Sequence, residues 1–275
     1  GNGTPITNNN SLSFDGNDDY VEITNPNLFL NDNQFSLNVW VKISSHTFNS
    51  SVAVMSKWSD NSDPNNRPFH LQFTGGSNNL DFLVNGGGSS ARMNISDLVL
   101  NEWNMITCVY DDLNGHISFY HNGNLKSQNS ISSTGNIQEY NNKMIIGAHT
   151  ETNYEFFSGN IDKPSVWNKA LTQSEIQSYM SSPPTGNESG LVGYWNFNEG
   201  SGTTVTDLSI NGNNGTINGA TWSNDAPAQY ANNCTATDDI VVTVNPQDDA
   251  TFAYSASSYC ADPSDPNPTN PTPTI

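Results

Sequence analysis

Asp15-Gly16-Asn17-Asp18-Asp19 puts three carboxylates and several main-chain carbonyls into one tight turn. Hard oxygen donors this close together suit calcium, a cation that takes about six to eight oxygen ligands. Asp15, Gly16, Asp18 and Asp19 are therefore candidate calcium ligands, against the alternative of a solvated Asp/Gly turn without an ion. Asp207, Asn211 and Asn213 form a second set of spaced oxygen donors, open to the same two readings. Two other stretches mix hydrogen-bonding and aromatic side chains. One runs from Trp58 to Arg67 and includes Asp60, Asp63 and Asn65; the other runs from His149 to Phe157 and includes Asn153 and Tyr154. No Ser/His/Asp arrangement for nucleophilic catalysis can be picked out. His46, His70, His116, His121 and His149 are scattered, and read as strand-surface or turn residues. No Cys/His cluster has zinc spacing, and no Gly-rich phosphate loop precedes a helix.

The composition narrows the partners. Eight basic against 27 acidic side chains leave a net charge of −19, spread over 275 residues. Such a surface repels phosphate backbones, so nucleic acid is excluded as a partner. No apolar run approaches the roughly 18 residues of a membrane helix, so membrane insertion is not expected. No basic segment leads into an apolar one as in a signal peptide. The two ends of the sequence read as cuts in a longer protein. Cys108 lies in an apolar stretch and is expected as a buried thiol. Cys234 and Cys260 lie in a polar tail and could be disulfide halves, with each other or with chain beyond it.

What must position these residues is a set of short strands. In Phe35-Ser36-Leu37-Asn38-Val39-Trp40-Val41-Lys42-Ile43 the odd positions are all apolar, the pattern of an antiparallel strand with one buried face. Further strands are expected at 11–14, 20–23, 52–57, 69–74, 80–84, 104–110, 116–121 and 143–148. Asn-Gly pairs at 114–115 and 122–123 supply the positive φ of tight hairpin turns. Many short strands joined this way predict an all-β fold, an antiparallel two-sheet β-sandwich or jelly roll. One segment differs: Thr172 with Glu175 three residues on forms a capping box, so a short surface helix is expected near 172–180. From 223 onward the chain reads as a linker and a partial β-repeat too small to bury a core alone.

Leu12-Ser13-Phe14-Asp15-Gly16 through Ile23, Phe35–Val41, Glu102-Trp103-Asn104, His121-Asn122-Gly123, Phe157-Ser158-Gly159-Asn160-Ile161-Asp162 and Trp167–Ile176 form an ordered series. In this order they resemble the laminin-G-like, concanavalin-A-like jelly-roll domains of bacterial surface proteins. The resemblance covers about residues 11–180. Leu191–Gly202 and Asp207–Thr216 look like the segments that usually open such a domain, here placed after it. They either complete the same sandwich or begin another copy, and completion is favoured because no second Phe-Asp-Gly segment follows. The domain is accordingly drawn as 1–222, with a core at 11–180 and completing strands at 191–222, followed by an incomplete neighbouring repeat at 223–275. That tail is similar to repeats of giant bacterial adhesins, including gliding adhesins exported by the type 9 system.

The resemblance implies further roles. In many such jelly rolls the opening turn shares a structural calcium with an Asp near the domain's end, which here is Asp162. Lectins of the superfamily bind sugars with rim loops. Trp58 and Tyr154 would then stack on sugar faces, while Asp60, Asp63, Asn65, Arg67 and Asn153 bond hydroxyls; alternatively, both aromatics pack beneath their own loops. Glycosidases of the superfamily carry Glu-x-Asp-x-Glu on one strand. Glu151, Asn153 and Glu155 keep that parity but place Asn in the middle, so no enzyme activity is expected. The expected function is a calcium-dependent, carbohydrate-binding adhesion module at the bacterial cell surface, with a polysaccharide or glycoconjugate and neighbouring adhesin repeats as partners. A calcium-stapled spacer is the alternative, and a polysaccharide hydrolase the least favoured.

Overall fold

The computed structural model describes residues 10–24, 33–58, 68–77, 79–84, 89–131, 143–149 and 154–228. All of them fall within one compact unit, Ile6–Gln229. The partial β-repeat beyond 228, with Cys234 and Cys260, and Glu151 lie outside the described residues.

Among the described residues sixteen strands follow one another: β1 (Ser11–Asp15), β2 (Tyr20–Ile23), β3 (Gln34–Lys42), β4 (Val52–Lys57), β5 (Phe69–Thr74), β6 (Asn79–Val84), β7 (Ser89–Asn94) and β8 (Asn104–Asp111) come first. Then come β9 (His116–His121), β10 (Asn124–Ser130), β11 (Met144–Ile146) and β12 (Ser158–Trp167). After the α-helix α1 (Gln173–Ser181), the chain adds β13 (Leu191–Tyr194), β14 (Thr204–Val205), β15 (Gly215–Asn218) and β16 (Thr221–Ser223). They form two antiparallel sheets. Sheet A runs β10-β9-β8-β3-β12-β1-β16, with β13 also bonded to β12; sheet B runs β14-β15-β2-β11-β4-β5-β6-β7. The fold is an all-β sandwich of jelly-roll type.

The period-two residues make the core. Phe35, Leu37, Val39 and Val41 of β3 meet Phe69, Leu71 and Phe73 of β5 and Phe82 of β6 between the sheets. Four rings interlock there, with Phe35 5.9 Å from Phe69, 5.8 Å from Phe82 and 5.5 Å from Tyr110. Cys108 is buried among them, and its thiol is pushed well above its ordinary value by burial. The core is apolar because burial of these side chains is the main force holding two sheets together.

Residues 191–223 complete this sandwich. β13 pairs with β12, β15 with β2 and β16 with β1, so the segment enters both sheets. Contacts continue just past it: Asp225 accepts from Lys42 Nζ at 2.6 Å and from Trp103 Nε1 at 2.9 Å. The capping box forms as expected, with Thr172 Oγ1 accepting from Glu175 N and Glu175 Oε2 accepting from Thr172 N. Helix α1 lies on the outer side of sheet A. Ile176, Tyr179 and Leu171 cover Met105, Val109, Trp167, Leu191 and Tyr194, and Tyr179 stacks on Trp167 at 4.7 Å. Among the described residues no helix is long and apolar enough to cross a membrane.

Candidate functional site

The outer side of sheet B is built differently. In β5, Phe69, Leu71 and Phe73 point into the core, so His70, Gln72 and Thr74 point out. Ser56 of β4 stands opposite His70 in the ladder, and Asp81 of β6 opposite Gln72. The described ends of the connection from β11 to β12, 147–149 and 154–157, lie beside this polar face. It leaves β11 at Gly147, whose φ of +86° and close approach to the Phe14 ring leave no room for a Cβ. Gly147 N donates to Val54 O at 2.9 Å, Ala53 N to Glu155 O at 2.7 Å, and Phe157 N to Gly147 O at 2.8 Å. Both ends of the connection are thereby tied to β4 and to each other.

This connection sets two side chains beside His70. The ligand atoms of His70, His149 and Glu155 all lie within 4.8 Å of one another. Both imidazoles are buried, and the Glu155 side chain is 18% exposed. His70 Nδ1 is 3.0 Å from Ser56 Oγ, and its Nε2 is 3.0 Å from Gln72 Oε1 and 3.3 Å from Glu155 Oε2. Aromatic rings extend the cluster in both directions. Trp58 lies 5.6 Å from His70, His70 5.0 Å from His149, and His149 stacks on Tyr154 at 4.8 Å and 10°. Tyr154 is 41% exposed, so the row opens to solvent at its end. Trp58 and Tyr154, set in two loops 96 residues apart in the chain, thus belong to one site. Asp60, Asp63, Asn65, Arg67 and Asn153 lie outside the described residues. Among the described residues, Glu155 has two histidines beside it rather than a second carboxylate.

The expected calcium ligands fall in three places. Asp15, Asp18 and Asp19 converge, their oxygens within 4.8 Å of one another, around the turn made by Gly16 at φ +85°. Asp15 accepts from Asn17 N at 2.8 Å and Asn17 Nδ2 at 3.0 Å, and these bonds hold its carboxyl below the ordinary range. Asp19 is pushed up, first by burial and then by the charges of Asp15 and Asp18. No basic side chain pairs with the three among the described residues. Oxygens gathered this way fit a hard cation at the surface.

Asp162 is elsewhere, and the idea of an ion shared with it is corrected. In the β1–β12 ladder Asp15 pairs with Ser158, so Asp162 lies four residues further along, roughly 13 Å at strand spacing. There it is fully buried opposite Trp40, and its carboxylate is met by Lys163 Nζ at 2.8 Å. Asp207, Asn211 and Asn213 do come together, in a network of protein hydrogen bonds in which Asn213 Oδ1 is buried without a donor. Asp207 accepts from Tyr194 N, Ser209 N, Ser209 Oγ and Asn213 N at 2.7–3.0 Å. Asn211 Nδ2 and Asn213 Nδ2 both donate to Val192 O. Both carboxylate oxygens of Asp207 thus already face N–H and O–H donors.

The comparisons with known proteins agree with this architecture. The family model of the Concanavalin A-like lectin/glucanases superfamily matches residues 15–177. The chain belongs to that superfamily. Among solved structures, a Bacteroides ovatus protein described as carbohydrate-binding superposes with a TM-score of 0.62 at 18% identity. That match covers 80% of this chain and 61% of the other. The native heptameric SAP-like pentraxin of Limulus polyphemus superposes with a TM-score of 0.52 at 17% identity, over 74% of this chain and 97% of that one. No curated protein sequence matches the chain.

For this concanavalin A-like domain, the sequence reading took His70 and His149 as strand-surface or turn residues and did not single out Gln72. A signal for the first and last was present. The strand at 69–74 puts His70 and Gln72 on the face away from Phe69, Leu71 and Phe73. His149 had a weaker one, its place in the stretch that also carries Tyr154.

Proposed function

We propose that this domain is a non-catalytic carbohydrate-binding module that works in adhesion at a bacterial cell surface. The observation that carries the reading is the row Trp58–His70–His149–Tyr154, with ring spacings of 5.6, 5.0 and 4.8 Å, beside the polar atoms of Glu155 and Gln72. A sugar ring has apolar C–H faces and a rim of hydroxyls. The exposed Tyr154 ring, with Trp58 at the other end of the row, takes the faces, and nearby carboxylate and amide groups take the hydroxyls, which is the general make-up of small-molecule sites. The carbohydrate-binding description of the Bacteroides ovatus neighbour supports this reading. The finer part is calcium at the opening turn, held by Asp15, Asp18 and Asp19. It would offset the burial and the neighbouring charges that raise Asp19, and part of the −19 charge.

A glycan array probed with the tag-free domain tests the module. Binding to a defined polysaccharide, weakened at least tenfold by Tyr154→Ala or Trp58→Ala, is expected. A wild-type domain that binds no glycan, with or without added calcium, sinks the reading. Calcium titration of Asp18→Asn against wild type tests the turn separately, with weaker binding in the variant as the expected result.

A further inference from the structure

We infer that His70, His149 and Glu155 form a binding site for a zinc-class divalent transition metal on the outer side of sheet B. This site is separate from the calcium turn and does not depend on glycan binding. The donor set is two imidazoles and one carboxylate, which suits zinc and its d-block neighbours; calcium prefers oxygen alone.

The geometry is close to what such an ion needs. Zinc bonds of about 2.0–2.2 Å at a tetrahedral angle place neighbouring ligand atoms about 3.3–3.4 Å apart. His70 Nε2 and Glu155 Oε2 are 3.3 Å apart, and no pair in the trio exceeds 4.8 Å. The third ligand therefore needs to move in by at most about 1.5 Å, which side-chain rotation supplies.

Two further observations point to a missing partner. Glu155 Oε2 is buried and accepts no hydrogen bond. The one N–H of His70 that could reach it also faces Gln72 Oε1 at 3.0 Å, and one proton serves two oxygens poorly. A cation on Nε2 resolves this conflict. The ring proton then sits on Nδ1 and is donated to Ser56 Oγ, 3.0 Å away, the kind of outer partner that fixes a ligating histidine. The second observation is the backbone of Glu155, a non-glycine residue at φ +60°. Left-handed backbone at such a residue is costly and is found where a site demands it. Here it aims the carboxylate at the two histidines while Glu155 O is bonded by Ala53 N. Protein supplies three ligands, so a fourth position is left for water or a ligand hydroxyl, as in open zinc sites.

The test is calorimetric titration of chelator-treated, tag-free domain with zinc chloride, with calcium chloride in parallel. The proposal expects one zinc per chain and a melting temperature raised by about 5–10 °C at a hundredfold excess over Kd. His149→Ala, His70→Ala and Glu155→Gln should each weaken zinc at least tenfold and leave calcium binding unchanged. Cobalt in place of zinc should give the intense visible bands of a four-coordinate ion, lost in His149→Ala. Glu155→Gln keeps the shape of the residue and decides the matter if a histidine variant fails to fold. Absence of stoichiometric zinc binding by the wild type, or binding that persists in both His149→Ala and Glu155→Gln, overturns the proposal. A domain that binds zinc but no glycan keeps this site and loses the function proposed above; one that binds glycan after chelation and never binds zinc does the reverse.

Discussion

Outside sheet A, Met105, Val109, Trp167, Leu191 and Tyr194 are covered by Leu171, Ile176 and Tyr179 of the helical segment. Outside sheet B, His70, flanked by Ser56 and Gln72, is met by more polar groups, His149 and Glu155, from the chain between β11 and β12. Both faces are covered by chain between strands, yet one cover is apolar and the other polar. Apolar burial stabilises at roughly 25 cal/mol per Å², whereas a buried polar group contributes little net and costs much if left unpaired. The first face adds to stability. The second holds an unbonded carboxylate oxygen and a left-handed glutamate, features that a purely structural face would have no reason to keep.

The sharpest way to break this contrast is Trp167→Ala. Trp167 is fully buried and stacked on Tyr179. Its loss should cost about 3–5 kcal/mol in urea unfolding, while glycan and zinc affinities of the folded protein stay at wild-type values. A parallel loss of ligand binding would show that the two faces are not independent.

Acid probes the same difference. Against the effect of burial, hydrogen bonds from Lys169 and Thr172 hold Glu175 below its ordinary 4.5, and those from Thr185 and Gly186 do so for Glu188. Against burial again, Lys42 and Trp103 hold Asp225 below 3.8. A depressed carboxyl contributes stability that is present above the unfolded value and is lost as pH falls through the folded one. Stability should therefore decline below about pH 4.5. Asp19 works in the opposite sense, because its raised value makes its charge costly at neutral pH. Thermal melts between pH 7 and 3 check this. Asp225→Asn should flatten the acid limb; an unchanged limb would remove that clamp from the account.

The two faces were unequally legible in the sequence. Alternation in 35–43 and the Thr172/Glu175 capping box are local signals, and the strand and the helix followed them closely. The pairing of Asp162 with the opening turn needed a register between strands far apart in the chain, which side-chain periodicity does not carry. A shift of four residues along β12 places Asp162 against Lys163 instead. The histidine site was half visible for the same reason. Period two sets His70 and Gln72 outward, but nothing local says that the chain near residue 149 folds back over them. Motif spacing for zinc reads ligands close in sequence; His70 and His149 are 79 residues apart and meet only through the Gly147 and Glu155 tethers to β4.

Thr172→Ala gives a smaller, graded test of the apolar cover. It removes the hydroxyl that accepts from Glu175 N and should cost about 1 kcal/mol. Its effect should appear first as faster amide exchange in α1, with the histidine cluster unchanged. Exchange that quickens equally around His149 would mean that the helix supports both faces.

Glu155→Gly is the smallest expected change in stability and the most informative about the polar cover. In the metal-free domain it removes a left-handed backbone penalty and a buried oxygen without a donor, at the cost of the flexibility glycine adds to the unfolded chain. These opposing effects should leave stability within about 1 kcal/mol of wild type, on the stabilising side. With zinc present the order should reverse, because only the wild type gains from the ion. Urea curves of both proteins, with zinc and with chelator, give the four values needed. If the variant were strongly destabilised even without metal, Glu155 would be a structural support of the connection, and the contrast between a face kept for stability and a face kept for binding would fail at its central residue.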